Sequence, residues 1–347
     1  PWIFYINVPI GLAAAGAAWM LYRERESQIR KLPIDAIGLA LLVVWVGAMQ
    51  VMLDLGKEHD WFHSSMVVTL AVVAVVGFIA FLIWELTEKH PVVDLTLYQR
   101  RNFWAGSLAL SIAYGVFFGN VVLLPLWLQQ YMGYTATQAG MVLAPVGVMA
   151  LVLSPVVGKS IGKVDPRYFA TFAFLVFALV LWMRSHFNTQ ADIATIMIPT
   201  IIQGVAMAFF FIPLVTITLS GLPPERIPAA SGLSNFTRIT AGAVGTSVAT
   251  TLWESRAAMH HAHLVESITL GNPIASGALS GLASSGINAE QALAQVNRMV
   301  DQQAFMLAAN DIFYMSAALF LLLIPLIWMT QPPKASMGNA DAAAGAH

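Results

Sequence analysis

The sequence predicts an all-α integral membrane protein with nine transmembrane helices, on three observations. Charged residues make up only 10 % of the 347 residues and apolar ones 58 %, against about 25 % and 45–50 % in soluble domains. Nine apolar runs come close to or exceed the roughly 20 residues that a helix needs to cross a bilayer. The few Lys and Arg residues fall in the connections, in two groups that alternate from loop to loop. The runs are apolar on both parities, so they read as helices and not as strands of a barrel.

The first run, Phe4–Tyr22, starts almost at once. Pro1-Trp2 is not a translation start, and no basic n-region with a cleavage site precedes the run. The chain therefore reads as a piece of a longer protein, cut just ahead of a membrane helix. Ile34–Leu55 and Val67–Trp84 follow, and then an amphipathic stretch, Glu85 to Asn102, expected along the membrane interface. Trp104–Leu128, Ala139–Ile161 and the shorter Tyr168–Met183 come next. Ile193–Leu219, Leu233–Leu252 (rich in Gly, Ala and Thr) and Ile312–Met329 complete the set.

Prolines 125, 145, 155, 199 and 213 are expected to bend the fourth, fifth and seventh runs, as suits a rocking transporter, although proline is also simply commoner in membrane helices. Gly115-xxx-Gly119 and Ala241-xxx-Gly245-xxx-Ala249 allow close approach of backbones. Glu254 to Asp311 reads as a long polar external segment, with a helix over Ala289–Ala308 capped by Asn288. A segment that long is usually functional. The tail 331–347 reads as disordered.

Orientation follows from charge. Arg23, Arg25, Arg30, Lys31, Lys89, Arg100, Arg101, Lys159, Lys163, Arg167, Arg226, Arg238 and Lys334 fall on one side; Lys57, Arg184, Arg256 and Arg298 fall on the other. The first group is assigned to the cytoplasm, which places the C-terminus there.

Little in the chain suggests bond-breaking chemistry. Zero cysteines exclude thiol and Cys–metal chemistry. No Walker loop, GxSxG or HExxH occurs, so neither an ATPase nor a hydrolase is expected. A net charge of −1 offers nothing to nucleic acid. No cofactor is implied. His260, His261 and His263 make a metal site conceivable, but a solvated or partner-facing segment fits their spacing better. Asp35, Asp54, Arg238 and Asp311 all sit near ends of runs, so no mid-membrane acid suits a proton relay.

The candidate substrate residues are polar or aromatic positions on two faces. Phe117, Asn120 and Trp127 share one face of the fourth run, with Gln129 just beyond. Thr200, Gln203, Met207 and Phe210 share one face of the seventh, and Asn235 lies on the eighth. Aromatic and methionine side chains with a few amides suit an adaptable cavity for drug-sized molecules. The same amides also serve as glue between helices, at about 0.6 kcal/mol each. Both readings stand.

Several motifs resemble those of the fourteen-span drug:proton antiporters of the major facilitator superfamily. Trp2-Ile3-Phe4-Tyr5-Ile6-Asn7-Val8-Pro9-Ile10-Gly11 looks like the start of that family's sixth span. Residues 52–62 look like the link between its two extra central spans. Gly133-Tyr134-Thr135-Ala136-Thr137, Leu219-Ser220-Gly221-Leu222-Pro223-Pro224-Glu225-Arg226, Leu233-Ser234-Asn235-Phe236-Thr237-Arg238 and Met259-His260-His261-Ala262 are more specific.

The resemblance implies that the nine runs are spans six to fourteen of fourteen. Residues 1–22 would be the last helix of an N-terminal bundle, and 23–102 two inserted helices with cytoplasmic linkers. Residues 103–330 would form a C-terminal six-helix bundle that includes a periplasmic loop, 254–311. It also implies proton-coupled export of hydrophobic toxic compounds across the bacterial inner membrane, with the coupling acid either in spans this chain lacks or among Asp35, Asp54 and Asp311 near the ends of its runs. Implied partners are an EmrA-like periplasmic adaptor, for which loop 254–311 is a reasonable docking element, and a TolC-like outer-membrane channel. A repeat of the family's cytoplasmic motif is recognisable at Gly158-Lys159-Ser160-Ile161-Gly162-Lys163-Val164-Asp165-Pro166-Arg167, with Gly162 where the general pattern has Asp. Gly158, Lys163, Asp165, Arg167 and Arg238 are the gating candidates. The rival readings are an exporter dedicated to one substrate such as a siderophore or fatty acid, a membrane-embedded enzyme, and a non-transporting scaffold.

Overall fold

Eleven α-helices account for most of the chain in a computed structural model that describes residues 5, 7–23, 35–269, 271–284 and 288–332; no strand occurs among the described residues. They are α1 (Asn7–Tyr22), α2 (Ala36–Leu55), α3 (Ser65–Thr87), α4 (Arg101–Gln130), α5 (Ala136–Ser160) and α6 (Pro166–Arg184). After them come α7 (Ile193–Ala208), α8 (Phe211–Leu219), α9 (Ile227–Glu266), α10 (Pro273–Ser284) and α11 (Ala289–Trp328). Arg25, Arg30, Lys31, Lys334 and tail residues 333–347 lie outside the described residues.

Among the described residues seven segments are long and apolar enough to cross a membrane, counting α7 and α8 together. Helix α1 is apolar but has only 16 residues. The expected eighth run lies in α9, a helix of 40 residues that is not among the seven. Its Gly, Ala, Ser and Thr content lowers its apolarity, and the same small residues let it sit deep in the bundle.

Four boundaries differ from expectation. The seventh run is broken at Phe209–Phe210, because Pro213 has no N–H to give the carbonyl of Phe209 and its ring crowds that carbonyl. The external segment is largely helical. Asn288 caps α11, with Gln291 closing the capping box, but the helix does not stop at Ala308. It runs on to Trp328, since no Gly or Pro interrupts it before Pro325. Likewise α9 continues past Leu252 to Glu266. At 1.5 Å per residue each of these helices is about 60 Å long, roughly twice the hydrocarbon thickness of a bilayer. Finally, α3 extends to Thr87 and buries Glu85, which the sequence placed in an interfacial stretch.

Helix α4 is the hub. Of its most apolar stretch 61 % is buried, against 17 % in α2 and in α3. It crosses α9 where their small residues meet. A Cβ on Gly245 would lie 2.2 Å from the Gly115 carbonyl oxygen, and one on Gly119 would lie 2.8 Å from Ala249 Cβ. Glycine on both helices is what permits backbone-to-backbone contact here. A second close crossing joins α7 to α5, where a Cβ on Gly204 would lie 2.6 Å from Met149 Cβ and 3.1 Å from the Pro145 carbonyl. Aromatic rings fill the space between α4, α6, α8 and α11; Phe177 stacks on Phe320 at 4.9 Å and meets Phe210 edge-on at 5.4 Å.

Helices α2 and α3 form a pair. Trp45 packs over Gly77 and against Phe78 and Phe81. Asp35 caps α2 through Gly38 N–H at 2.9 Å and also accepts the indole N–H of Trp84 at 2.9 Å. The pair seats on α9 through an edge contact of Trp45 with Phe236 and a hydrogen bond from Ser247 to the Leu53 carbonyl.

Candidate functional site

Most of the sequence-derived candidates lie inside the bundle. Phe117, Asn120, Trp127, Thr200, Gln203 and Phe210 are all buried. Asn120 donates to the Val116 carbonyl at 2.7 Å and to Ser316 Oγ at 3.0 Å, tying α4 to α11. Trp127 stacks on Phe187 at 5.9 Å, and Phe117 meets Phe177 edge-on at 5.7 Å. Met207 is partly buried against the same core. Gln129 is exposed and donates to the Pro125 carbonyl of its own helix.

Thr200 and Gln203 hold a residue that sequence reasoning placed elsewhere. Arg184, assigned to an outer connection, is the last residue of α6 and only 1 % exposed. Its guanidinium donates to Gln203 Oε1 at 2.6 Å and to Thr200 Oγ1 at 3.2 Å. No carboxylate of the described residues lies within salt-bridge distance, and Nε has no protein partner. A cation at the end of an apolar run is indistinguishable in sequence from the first residue of a loop. The only available signal was the pair of hydrogen-bonding side chains at 200 and 203 on the next helix.

Asn235 and Arg238 occupy a different setting, a wall built by α4, α8 and α9. The guanidinium of Arg238 sits 4.6 Å from the ring centroid of Tyr114 and 5.4 Å from that of Phe211, and donates to Asn235 Oδ1 at 2.5 Å. Tyr114 in turn packs on Phe118 at 4.3 Å and on Phe211 at 5.8 Å. Neighbouring Gly242 makes room for the Tyr114 ring, which a Cβ there would approach to 2.9 Å. Two cavities flank this stack. One, of about 360 Å³, is lined by Leu110, Phe211, Val215, Ser234, Asn235 and Arg238. The other, of about 490 Å³, is lined by Tyr114, Phe118, Gly242, Thr246 and the end of α2. Tyr114, Phe118 and Phe211 were not singled out from sequence. The legible hint was that Tyr114 and Phe118 flank the small-residue positions Gly115 and Gly119.

The remaining gating candidates gather at the start of α6. Asp165 caps that helix and takes hydrogen bonds from Arg167 Nε at 2.9 Å and Nη2 at 2.6 Å. Arg167 reaches across to the Thr330 carbonyl at 3.0 Å and lies over the Trp328 ring at 5.0 Å, clamping α6 to the end of α11. Burial pushes the Asp165 carboxyl up, but the hydrogen bonds and charge of Arg167 outweigh it and hold it below the usual carboxylate range. Lys163 is exposed, and Gly158 faces open space. Arg238 does not share these contacts.

Two of the three histidines, His260 and His261, join α9 to α11. His260 Nε2 lies 2.9 Å from Asp311 Oδ2, and His261 Nε2 lies 3.4 Å from Asp301 Oδ1.

Comparison with known proteins adds a family. The Major Facilitator Superfamily profile matches residues 1–246. Multidrug export protein EmrB of Escherichia coli K12 is 47 % identical over all 347 residues, which cover 67 % of its own length. EmrB of Haemophilus influenzae is 45 % identical over 96 % of the chain and 65 % of its own length. Fatty acid resistance protein FarB of Neisseria gonorrhoeae is 43 % identical over 97 % of the chain and 67 % of its own length. The chain thus spans about two thirds of the length of these relatives.

Proposed function

The chain belongs to the Major Facilitator Superfamily, and from that premise we propose that it works in multidrug efflux. The observation that carries this reading is the wall of Tyr114, Phe118, Phe211, Asn235 and Arg238 between two cavities of several hundred cubic ångströms. Aromatic faces, hydroxyls and one cation on adjacent helices accommodate varied drug-sized molecules. Relatives named for multidrug export support it. The chain is a transporter rather than an enzyme.

The finer parts of the proposal are these. Export is coupled to proton entry. Residues 1–22 close an N-terminal bundle, 23–102 carry the inserted pair, 103–330 form the C-terminal bundle and 331–347 the tail. Asn235 and Arg238 face substrate directly. Phe117, Asn120, Trp127, Gln129, Thr200, Gln203, Met207 and Phe210 shape the bundle that backs the wall, and Gly158, Lys163, Asp165 and Arg167 serve gating. The sorting of Lys and Arg supports a bacterial inner-membrane location with a cytoplasmic C-terminus. The ends of α9 and α11 that outrun the bilayer face an EmrA-like adaptor, which joins a TolC-like channel.

The test is dye and drug extrusion by the full-length protein in vesicles under an imposed pH gradient. Extrusion of several unrelated compounds is expected. Extrusion of one compound alone favours an exporter dedicated to a single substrate, a reading to which the fatty acid resistance relative lends weight. No gradient-driven movement of any compound sinks both.

A further inference from the structure

The turn that ends α6 collects buried polar atoms that no described residue satisfies. Arg184, at the end of that helix, is 1 % exposed, and both hydrogen bonds of its guanidinium leave from Nη2, to neutral acceptors on α7. Buried Nε has no protein partner. Three residues on, Phe187 donates its N–H to the Arg184 carbonyl at 3.0 Å. Its ring stacks on Trp127 of α4, and its carbonyl accepts from Asn310 of α11 at 2.9 Å. Trp127 Nε1 and Asn310 Oδ1 are likewise buried without partners. Two free donors and one free acceptor, from three helices, thus sit around one turn of chain.

A guanidinium keeps its charge in a protein, and a charge taken out of water is tolerated only where it is paired. No carboxylate of the described residues lies within salt-bridge distance of Arg184. Asp192 is exposed, caps α7 through Thr195, and stands eight residues, or about 12 Å, along that helix from Thr200. Asp311, next to Asn310, is taken by His260 and Arg256 on α9. The last carbonyls of α6 carry the negative end of the helix dipole, but they are already engaged. Those of Leu181, Met183 and Arg184 take the N–H groups of Ser185, His186 and Phe187, and that of Trp182 takes Ser185 Oγ.

We propose that this turn is a binding site for a small inorganic anion of the chloride type, with Arg184 supplying the charge and Trp127 Nε1 a second donor. Asn310 Oδ1, an acceptor, suits a water that accompanies the ion rather than the ion itself. Gln203 and Thr200 hold the guanidinium in place without cancelling its charge. The ion ties α6 to α4 and α11, so the salt around the protein tunes the bundle that backs the candidate wall. The site is independent of the export reading.

The experiment is thermal unfolding of the purified full-length protein in detergent as chloride replaces gluconate at constant ionic strength, which holds general screening fixed. The parent is expected to melt several degrees higher across an about hundredfold rise in chloride, as binding to the native state alone requires, and bromide should act like chloride. Arg184→Met should be flat over the same range. Trp127→Phe should still respond but need about tenfold more chloride, the loss of one hydrogen bond to a charged group. Crystals of the parent grown in bromide give a readout that needs no variant, an anomalous peak within hydrogen-bond distance of the Arg184 guanidinium. No difference between chloride and gluconate in the parent, an equal rise in Arg184→Met, an unchanged chloride requirement in Trp127→Phe, or bromide peaks only elsewhere overturns the proposal.

Discussion

Replacing Gly245 by alanine should loosen the α4–α9 crossing on which the candidate wall is built. The new methyl would lie 2.2 Å from the Gly115 carbonyl oxygen and 2.5 Å from its carbonyl carbon and Cα, all backbone atoms that no rotamer change can move. Reaching even a 3.0 Å contact from 2.2 Å requires the helices to part by about 0.8 Å. A gap of that size forfeits roughly a quarter to a half of the dispersion attraction between the separated atoms. The net cost expected for such overpacking is about 1–3 kcal/mol. Gly147→Ala is the matched control, because a Cβ there meets nothing within 4 Å, and removing a mid-helix glycine is stabilising by up to about 1 kcal/mol. The assay is thermal unfolding of the full-length protein in detergent, alongside disulfide trapping of cysteine pairs placed across the two helices. Gly245→Ala should melt lower than the parent and trap more slowly, while Gly147→Ala should not. Equal melting and trapping in both variants would refute the claim that this contact sets the helix spacing.

Other outcomes are expected from the buried and charged groups. Gln203→Leu removes the shortest hydrogen bond to Arg184 and should destabilise the bundle by about 1.5–3 kcal/mol; the double variant with Arg184→Met should recover much of that loss in the same melting assay, and no recovery would count against a charge effect. Against the upward push of burial, Arg167 holds Asp165 below the usual carboxylate range. The contribution of Asp165 to stability is therefore present above the unfolded value of about 3.9 and lost as pH falls through the lower folded value. An acid melting series should show that loss in the parent and a shallower dependence in Asp165→Asn. Arg238→Gln removes the cation between the rings of Tyr114 and Phe211 and should change the set of exported compounds in a resistance panel without lowering the amount of protein in the membrane; an unchanged panel would remove Arg238 from the wall.

The legible and illegible parts of the site divide along a physical line. Gly115, Gly119, Gly245 and Ala249 could be read as packing positions because small residues at a spacing of four have one common use in apolar helices. Asn288 could be read as a cap because its side chain acts within one turn. The break after Ala208 was half visible in Pro213. Arg184 and the Tyr114–Arg238–Phe211 stack were not visible, since each depends on which faces of different helices meet. In a soluble helix the apolar stripe points to the core. In a membrane helix, lipid and protein interior are about equally apolar, and that pointer is lost.

The sequence by itself determined that the chain is helical, that it belongs in a bilayer, that Asn288 caps the helix it precedes, and which small residues bring helices close. These are decided by hydropathy, capping and side-chain size, all local quantities. Only the tertiary structure decided that Asn120 and Gln203 are internal ties, that Arg184 is buried on polar side chains with no acid of the described residues beside it, and that Arg238 lies over the Tyr114 and Phe211 rings and lines a cavity. Those facts depend on how the helices are rotated about their axes. That rotation is set by contacts between α2, α4, α8 and α9, residues far apart in the chain.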